Sequence, residues 1–241
     1  MAADDTTTPF PLLDETLHAT ARYLGALTVL DEAALAGPSA LPGWSRAHVV
    51  AHLSRNADAF TRVLELAAAG EPASMYASAG ARDHDIDETV ARLDAAALLE
   101  DATASSARLA EVAAAYDGPT DATYSRLPDL AEEWSLDTVL PRRLTEILVH
   151  HSDLMLDLDP TQWPATFSCD LVGKRIDELG PDGPPMVLSS TDVEGLWELG
   201  PGGGPQISGP AGALAWWLVG RGDGDGLTCS GGDLPTIPRW R

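Results

Sequence analysis

The feature that most limits what this chain can fold into is a change in its local pattern near residue 157. Before it, long stretches free of Gly and Pro carry apolar residues three and four apart. After it, clusters such as GPDGPP, LGPGGGP and GRGDGDG cut the chain into short β-like runs. In the first part, Leu17, Ala21, Leu24, Leu27 and Leu30 predict a helix over 14–35. Ser45 offers an N-cap for a second helix reaching about Ala69, with Gly70 as its stop. A third, rich in Ala and Leu, spans roughly 90–115, and a fourth runs from about Leu136 to Leu156 with Pro141 as a kink or late start. Residues 71–88 mix Pro, Gly and charge without a period and read as a connection. The predicted fold is an N-terminal all-α four-helix bundle over 1–157, followed by a small α+β domain over 158–241. In the second part, helix-like runs at about 165–179 and 210–220 alternate with MVLSS, GLWEL, PQIS and LTCS.

Charge narrows the partners. With 37 acidic and 15 basic residues in 241, the formal charge of −22 repels a phosphate backbone or an anionic bilayer. Neither nucleic acid nor membrane is expected as a partner. No apolar stretch approaches the roughly 20 residues that span a bilayer, and the acidic start MAADDTTTPF has no signal-peptide core. A soluble cytoplasmic protein, a monomer or small homo-oligomer acting on a small molecule, is the expectation. Cys169 and Cys229 have neither metal-type spacing nor a disulfide-rich context and read as reduced, structural thiols.

Chemistry concentrates on two of the helices. Glu146 and His150 are four residues apart, so carboxylate and imidazole share a helix face; His48 and His52 repeat that spacing on the second helix. A bundle interior between these helices gathers one or two imidazoles with Glu146 and His150. Two histidines and one carboxylate leave coordination positions open, as a catalytic divalent ion requires. The plainer alternative is an ordinary Glu146–His150 pair with His48 and His52 half-buried. Asp153, three residues after His150, is placed to accept a hydrogen bond from a ligand imidazole. His151 lies about a hundred degrees round the helix, and His18 and His84 read as structural or exposed.

The stretch Gly43-Trp44-Ser45-Arg46-Ala47-His48-Val49-Val50-Ala51-His52, then Asn56, Gly70-Glu71, Met75-Tyr76, Ala81-Arg82 and Glu146-Ile147-Leu148-Val149-His150 with Asp153-Leu154, resembles the mycothiol-dependent maleylpyruvate isomerases of the DinB-like metal-dependent thiol transferase superfamily. Ile207-Ser208-Gly209, Gly220-Arg221-Gly222 and Pro238-Arg239-Trp240 are similar to that family's C-terminal domain, so the resemblance covers nearly the whole chain. Pro141 and the acidic LAEEWSLD before the fourth helix have no counterpart in it.

By position, the resemblance implies His52, Glu146 and His150 as metal ligands, with His48 a neighbour that does not bind. It implies a divalent metal, zinc foremost, and mycothiol as cofactors. A thiol of ordinary pKa, near about 8.5, is mostly protonated at neutral pH, and a metal with a vacant position supplies the thiolate without a protein cysteine. In these isomerases the thiolate adds to the cis double bond of maleylpyruvate, the resulting single bond rotates, and elimination gives fumarylpyruvate. The dicarboxylate needs local positive charge. Arg82, read as a loop residue, and Arg221, between two glycines, are the expected holders, one from each domain, which places the predicted pocket at their boundary. Asn56 is a candidate donor to substrate or thiol, and Arg143 a partner for Glu146 from outside. Tyr76, Trp44, Trp216 and Trp217 read as packing residues, and Trp240 as a tie-down. Two alternatives use the same residues: a mycothiol S-transferase conjugating the thiol to an electrophile, and a non-catalytic DinB-like binding protein whose metal only stabilises the bundle.

Overall fold

Helix boundaries in this chain are set largely by side chains that satisfy the backbone groups a helix end leaves bare. The structure is a computed structural model that describes residues 9–128, 130–238 and 240. Arg239 of the closing Pro-Arg-Trp motif and the first eight residues of the acidic start lie outside the described residues. Contacts divide the chain into two units, Met1–Leu156 and Asp157–Arg241.

In the first unit, the single helix predicted over 14–35 is two. Helix α1 (Leu13–Leu27) ends as the Thr28 hydroxyl donates to Gly25 O at 2.7 Å, and Asp31 caps the short α2 (Glu32–Ala36) by accepting from Ala34 N. An N-cap residue needs extended backbone, so Asp31 interrupts a pattern whose apolar spacing continues past it. Helix α3 (Arg46–Ala68) starts at Ser45 as predicted. Strand β1 (Ala73–Ser74) follows. The stretch read as a connection then holds helix α4 (Ala79–Arg92), opened by the Ser78 side chain accepting from Ala81 N. Its buried residues are Ile86 and Thr89, too little apolar surface to write a period into the sequence. Asp94 caps a separate α5 (Ala95–Ala115), so the third predicted helix begins later than expected. Strands β2 (Thr123–Ser125) and β3 (Glu133–Ser135) complete a small sheet in the order β1-β2-β3. Helix α6 (Val139–Asp153) carries Pro141 in its first turn, where no intrahelical N–H bond is lost. The unmatched acidic lead-in becomes β3, whose Trp134 ring lies 3.6 Å beneath the Arg142 guanidinium.

The long helices enclose two apolar clusters. One is built on Phe60, Val63, Leu64, Leu109 and Leu140, the other on Tyr23, Val49, Leu53, Leu98 and Ile147. Helix α3 contributes to both, so it is held from several sides.

The second unit has helices α7 (Ala165–Leu179) and α8 (Ala211–Leu218) with strands β4 (Met186–Ser190), β5 (Leu196–Leu199), β6 (Gln206–Gly209) and β7 (Thr228–Cys229), in the order β5-β4-β6-β7. The β4–β6 pair is parallel and the outer pairs antiparallel. The predicted class therefore holds: a mostly helical N-terminal region and a small mixed-sheet C-terminal domain. No helix among the described residues is long and apolar enough to cross a membrane.

Candidate metal centre

The N-terminus of α3 is tied to the end of α6, and that tie sets the site. Arg46 donates through Nε to Leu154 O (2.7 Å) and through Nη1 to Ala34 O (3.1 Å), satisfying carbonyls at the ends of α6 and α2. Gly37 makes room: a β-carbon there would stand 2.7 Å from Arg46 Nη1. Ala40 N donates to Asp153 O, adding a second strap. His48 is taken up by the cap, its Nδ1 2.7 Å from Ser45 Oγ, and contributes nothing to the centre. His52, one turn on, is buried with the edge of the Trp44 ring against it.

Three donors converge. His52 Nε2 lies 3.0 Å and His150 Nε2 3.3 Å from Glu146 Oε2. One ligand atom from each of the three residues lies within 4.8 Å of the others. Zinc–ligand bonds of about 2.0–2.1 Å in a tetrahedron put neighbouring ligand atoms about 3.3 Å apart, so the spacing fits such an ion. Burial lowers the His52 pKa to about 4, which leaves its imidazole neutral and able to bind a cation. Burial pushes Glu146 up, but hydrogen bonds from His150 and His52 outweigh it and hold the carboxyl well below its ordinary range. His150 Nδ1 lies 2.7 Å from Oδ2 of the fully buried Asp153, which turns Nε2 toward Glu146. Burial lowers the His150 pKa, while Asp153 and Glu146 raise it by more.

The raised His150 pKa fixes the pH dependence of metal binding. Below that pKa a proton occupies the imidazole and competes with the ion; above it the lone pair is free. Zinc affinity is therefore expected to decline as pH falls through that raised pKa, with calorimetry in buffers of different ionisation heat showing proton release on binding below it and less above it. Asp153→Asn should weaken zinc binding by roughly 10–100-fold. Affinity that ignores pH would contradict this account.

The surroundings are arginine-rich. Arg82, read from sequence as a loop residue, stands in the first turn of α4, because Ser78 starts a helix there. Its Nη2 is 3.3 Å from His52 Nδ1 and its guanidinium lies 5.9 Å from the centre of the Trp44 ring. A guanidinium only donates, so this contact belongs to the tautomer with the His52 proton on Nε2, facing Glu146. Asn56 is buried, and its Oδ1 accepts from Arg143 Nη1 at 2.7 Å. Arg143 does not pair with Glu146 from outside: it is itself buried, facing α3, and its Nη1 also donates to Leu53 O. Tyr76 is buried, and its phenol pKa is raised mainly by that burial and by Glu146, with Arg82 and Asn56 acting in the opposite direction, which puts it in the electrostatic surroundings of the centre. The Arg143–Asn56 and Arg82–His52 contacts escaped sequence reasoning because each joins residues of different helices.

Comparison with known proteins follows the same outline. Residues 16–155 match the model of the mycothiol maleylpyruvate isomerase N-terminal domain, and residues 165–239 that family's C-terminal domain. The chain belongs to the mycothiol maleylpyruvate isomerase family. A crystal structure of a mycothiol-dependent maleylpyruvate isomerase is similar over 96% of this chain and 98% of its own, with a TM-score of 0.87 at 26% identity. A structure of an H52A mutant of such an isomerase is similar to the same extent. No curated protein matches the chain.

In this family member Arg221 belongs to the second unit, just after α8. Its Nη1 donates to Val219 O, and its guanidinium lies 5.8 Å from the Trp216 ring centre and 5.9 Å from that of Trp240. Trp217 is buried as expected, while Trp216 is only half-buried and meets the edge of Trp163. Trp240 donates from Nε1 to Glu178 Oε2 at 3.0 Å, the anchoring role its position predicted.

Proposed function

We propose that this chain is a metal- and mycothiol-dependent cis–trans isomerase that converts maleylpyruvate to fumarylpyruvate, with His52, Glu146 and His150 holding a divalent ion, zinc foremost. The observation that carries the reading is the convergence of two imidazoles and one carboxylate in a chain that matches both domains of the family. Such an ion, bound by three side chains, supplies Lewis acidity at an open position and lowers the pKa of a thiol sulfur there.

The chain's own side chains do the rest. Asp153 holds the His150 ring, Glu146 stays ionised and His52 stays neutral, so only the His150 proton has to leave before the donor set takes an ion. Use of His52 Nε2 as a ligand leaves the ring proton on Nδ1, to which a guanidinium has no bond to make. Arg82 is then released to turn its planar fork to a substrate carboxylate. Trp44 and Tyr76 limit where it can swing. Arg221 is the second proposed carboxylate holder, a role that rests on the family resemblance, and Asn56 is proposed to present its amide N–H beside Tyr76.

Maleylpyruvate followed by ultraviolet absorbance, with and without mycothiol, tests the reading. Turnover should require both thiol and metal. A conjugate accumulating in place of fumarylpyruvate would assign an S-transferase instead, and thiol-independent inertness of a metal-loaded protein a binding role. In Arg82→Ala and Arg221→Ala, metal content should stay at wild-type level while kcat/KM falls by roughly 10²-fold, the loss expected when one charge-assisted contact to a carboxylate goes. Unchanged kcat/KM in both variants would remove these arginines from the site.

A further inference from the structure

In the second unit the glycines on either side of Arg221 have a physical reason. Helix α8 closes in a Schellman turn: Gly220 N donates to Trp217 O at 2.9 Å and Arg221 N to Trp216 O at 3.2 Å, with Gly220 in the left-handed region at φ 73°. That turn sets Arg221 against Trp216. Side chains at these two positions of the motif ordinarily make an apolar contact, and here the contact is a guanidinium 5.8 Å from an indole centre. Gly222 keeps the way clear, since a β-carbon there would stand 2.9 Å from Trp216 Nε1. A second ring reaches the same guanidinium from another part of the unit. Trp240, its centre 5.9 Å away, is fixed through Nε1 to Glu178 Oε2, and Arg175 Nη1 donates to that same oxygen at 3.1 Å. Arg175 is the hub. It is buried on α7 and donates from Nε to the carbonyl of Leu218, the last residue of α8, at 3.0 Å and from Nη2 to Pro238 O at 2.7 Å. One buried side chain thus fastens the end of α8, just before Arg221, to the stretch that carries Trp240.

We propose that Trp240 is a positioning residue: together with Trp216 it aims the Arg221 guanidinium at a substrate carboxylate, and this rests on the reading of Arg221 given above. A long arginine side chain samples many rotamers, and binding has to freeze them. Two rings narrow that choice before substrate arrives. Held by rings, a guanidinium keeps its N–H donors for a ligand, whereas a protein carboxylate holding the same cation would occupy them. The Trp240–Glu178 tie therefore does more than anchor the chain, because it sets where a cation of the proposed reaction points.

The test uses the zinc-loaded full chain. In Trp240→Ala, kcat/KM for maleylpyruvate with mycothiol should fall roughly tenfold, mostly through KM, because a carboxylate contact is made in the bound substrate as well as in the transition state. Trp240→Phe, which restores a ring, should recover most of that loss. Trp240 is only half-buried, so the fold is not at stake, and metal content should hold because the metal donors belong to the first unit. In an Arg221→Ala background, Trp240→Ala should cost nothing further, since a residue that acts through another falls silent once that other is gone. One readout is independent of turnover. The Nε–H resonance of Arg221, assigned by its loss in Arg221→Ala, should be displaced by ring currents in wild type and move toward the position of a free arginine in Trp240→Ala. A resonance that stays in place, or an equal fall in kcat/KM with and without Arg221, overturns the proposal. A resonance that moves while Arg221→Ala turns over like wild type supports the hold of Trp240 on Arg221 and overturns only the substrate role proposed for that arginine.

Discussion

In the His52→Ala variant, zinc is expected to fall from about one ion per chain to a small fraction of that, and mycothiol-dependent turnover by roughly 10³-fold or more. The estimate follows from removing a Lewis acid worth several kcal/mol, at about 1.4 kcal/mol per tenfold in rate. His52 is the only member of the donor set on α3, so its loss leaves Glu146 and His150, two neighbours on one helix that cannot enclose an ion. Excess zinc should not restore activity. The fold should survive, because the substitution takes a neutral ring from a helix whose packing rests on Val49, Val50, Leu53 and Phe60. A His52→Ala protein with wild-type metal content would sink the assignment of the centre.

Arg143→Ala is expected to have the largest effect on stability, a loss of about 3 kcal/mol and, at roughly 2–4 °C per kcal/mol for a chain of this size, a fall in Tm of roughly 10 °C. The cause is burial: Arg143 is only 1% exposed, and although burial lowers its pKa to about 10, it stays charged at neutral pH. Its removal opens a cavity and deprives Asn56 Oδ1 and Leu53 O of a charged donor. Among the described residues Arg143 Nη2 has no acceptor, so part of the desolvation cost is already present in the native state, which keeps the loss at the lower end of that for a broken buried ion pair. Asn56 also loses the donor that fixes its amide, so kcat should fall while zinc content holds. A Tm within about 2 °C of wild type would show that the buried guanidinium carries no such weight.

Both expectations turn on side chains that sequence reading treated differently. The pairing of Glu146 with His150 was legible because the spacing of four is itself the geometry: on any helix the two share a face, whereas the choice of His52 over His48 came from the family resemblance, since both stand on α3 at that spacing. Asp153 followed from the same periodicity. Arg143 also lies on that helix, and its spacing of three from Glu146 suggested the wrong partner, because its true acceptor, Asn56, is 87 residues away on a packed neighbour. Arg82 was found as a residue but misplaced as to element, since α4 has too few buried apolar residues to leave a period. The strands β1 to β3, two or three residues each, are too short for alternation to register, and they exist because they pair.

What the sequence by itself determined is local: the Ser45 cap and the helix behind it, the break between a helical region and a glycine-rich mixed one, and the two faces that carry imidazoles and carboxylate. These depend on interactions within about one turn of chain, where residue order and distance are nearly the same thing. Tertiary structure alone decided which faces meet. Arg46 fastening α3 to the end of α6 brings His52 within 3.0 Å of Glu146, and the packing of α4 against α3 sets Arg82 on His52. Such contacts join residues tens of positions apart, and no periodicity in the chain records them.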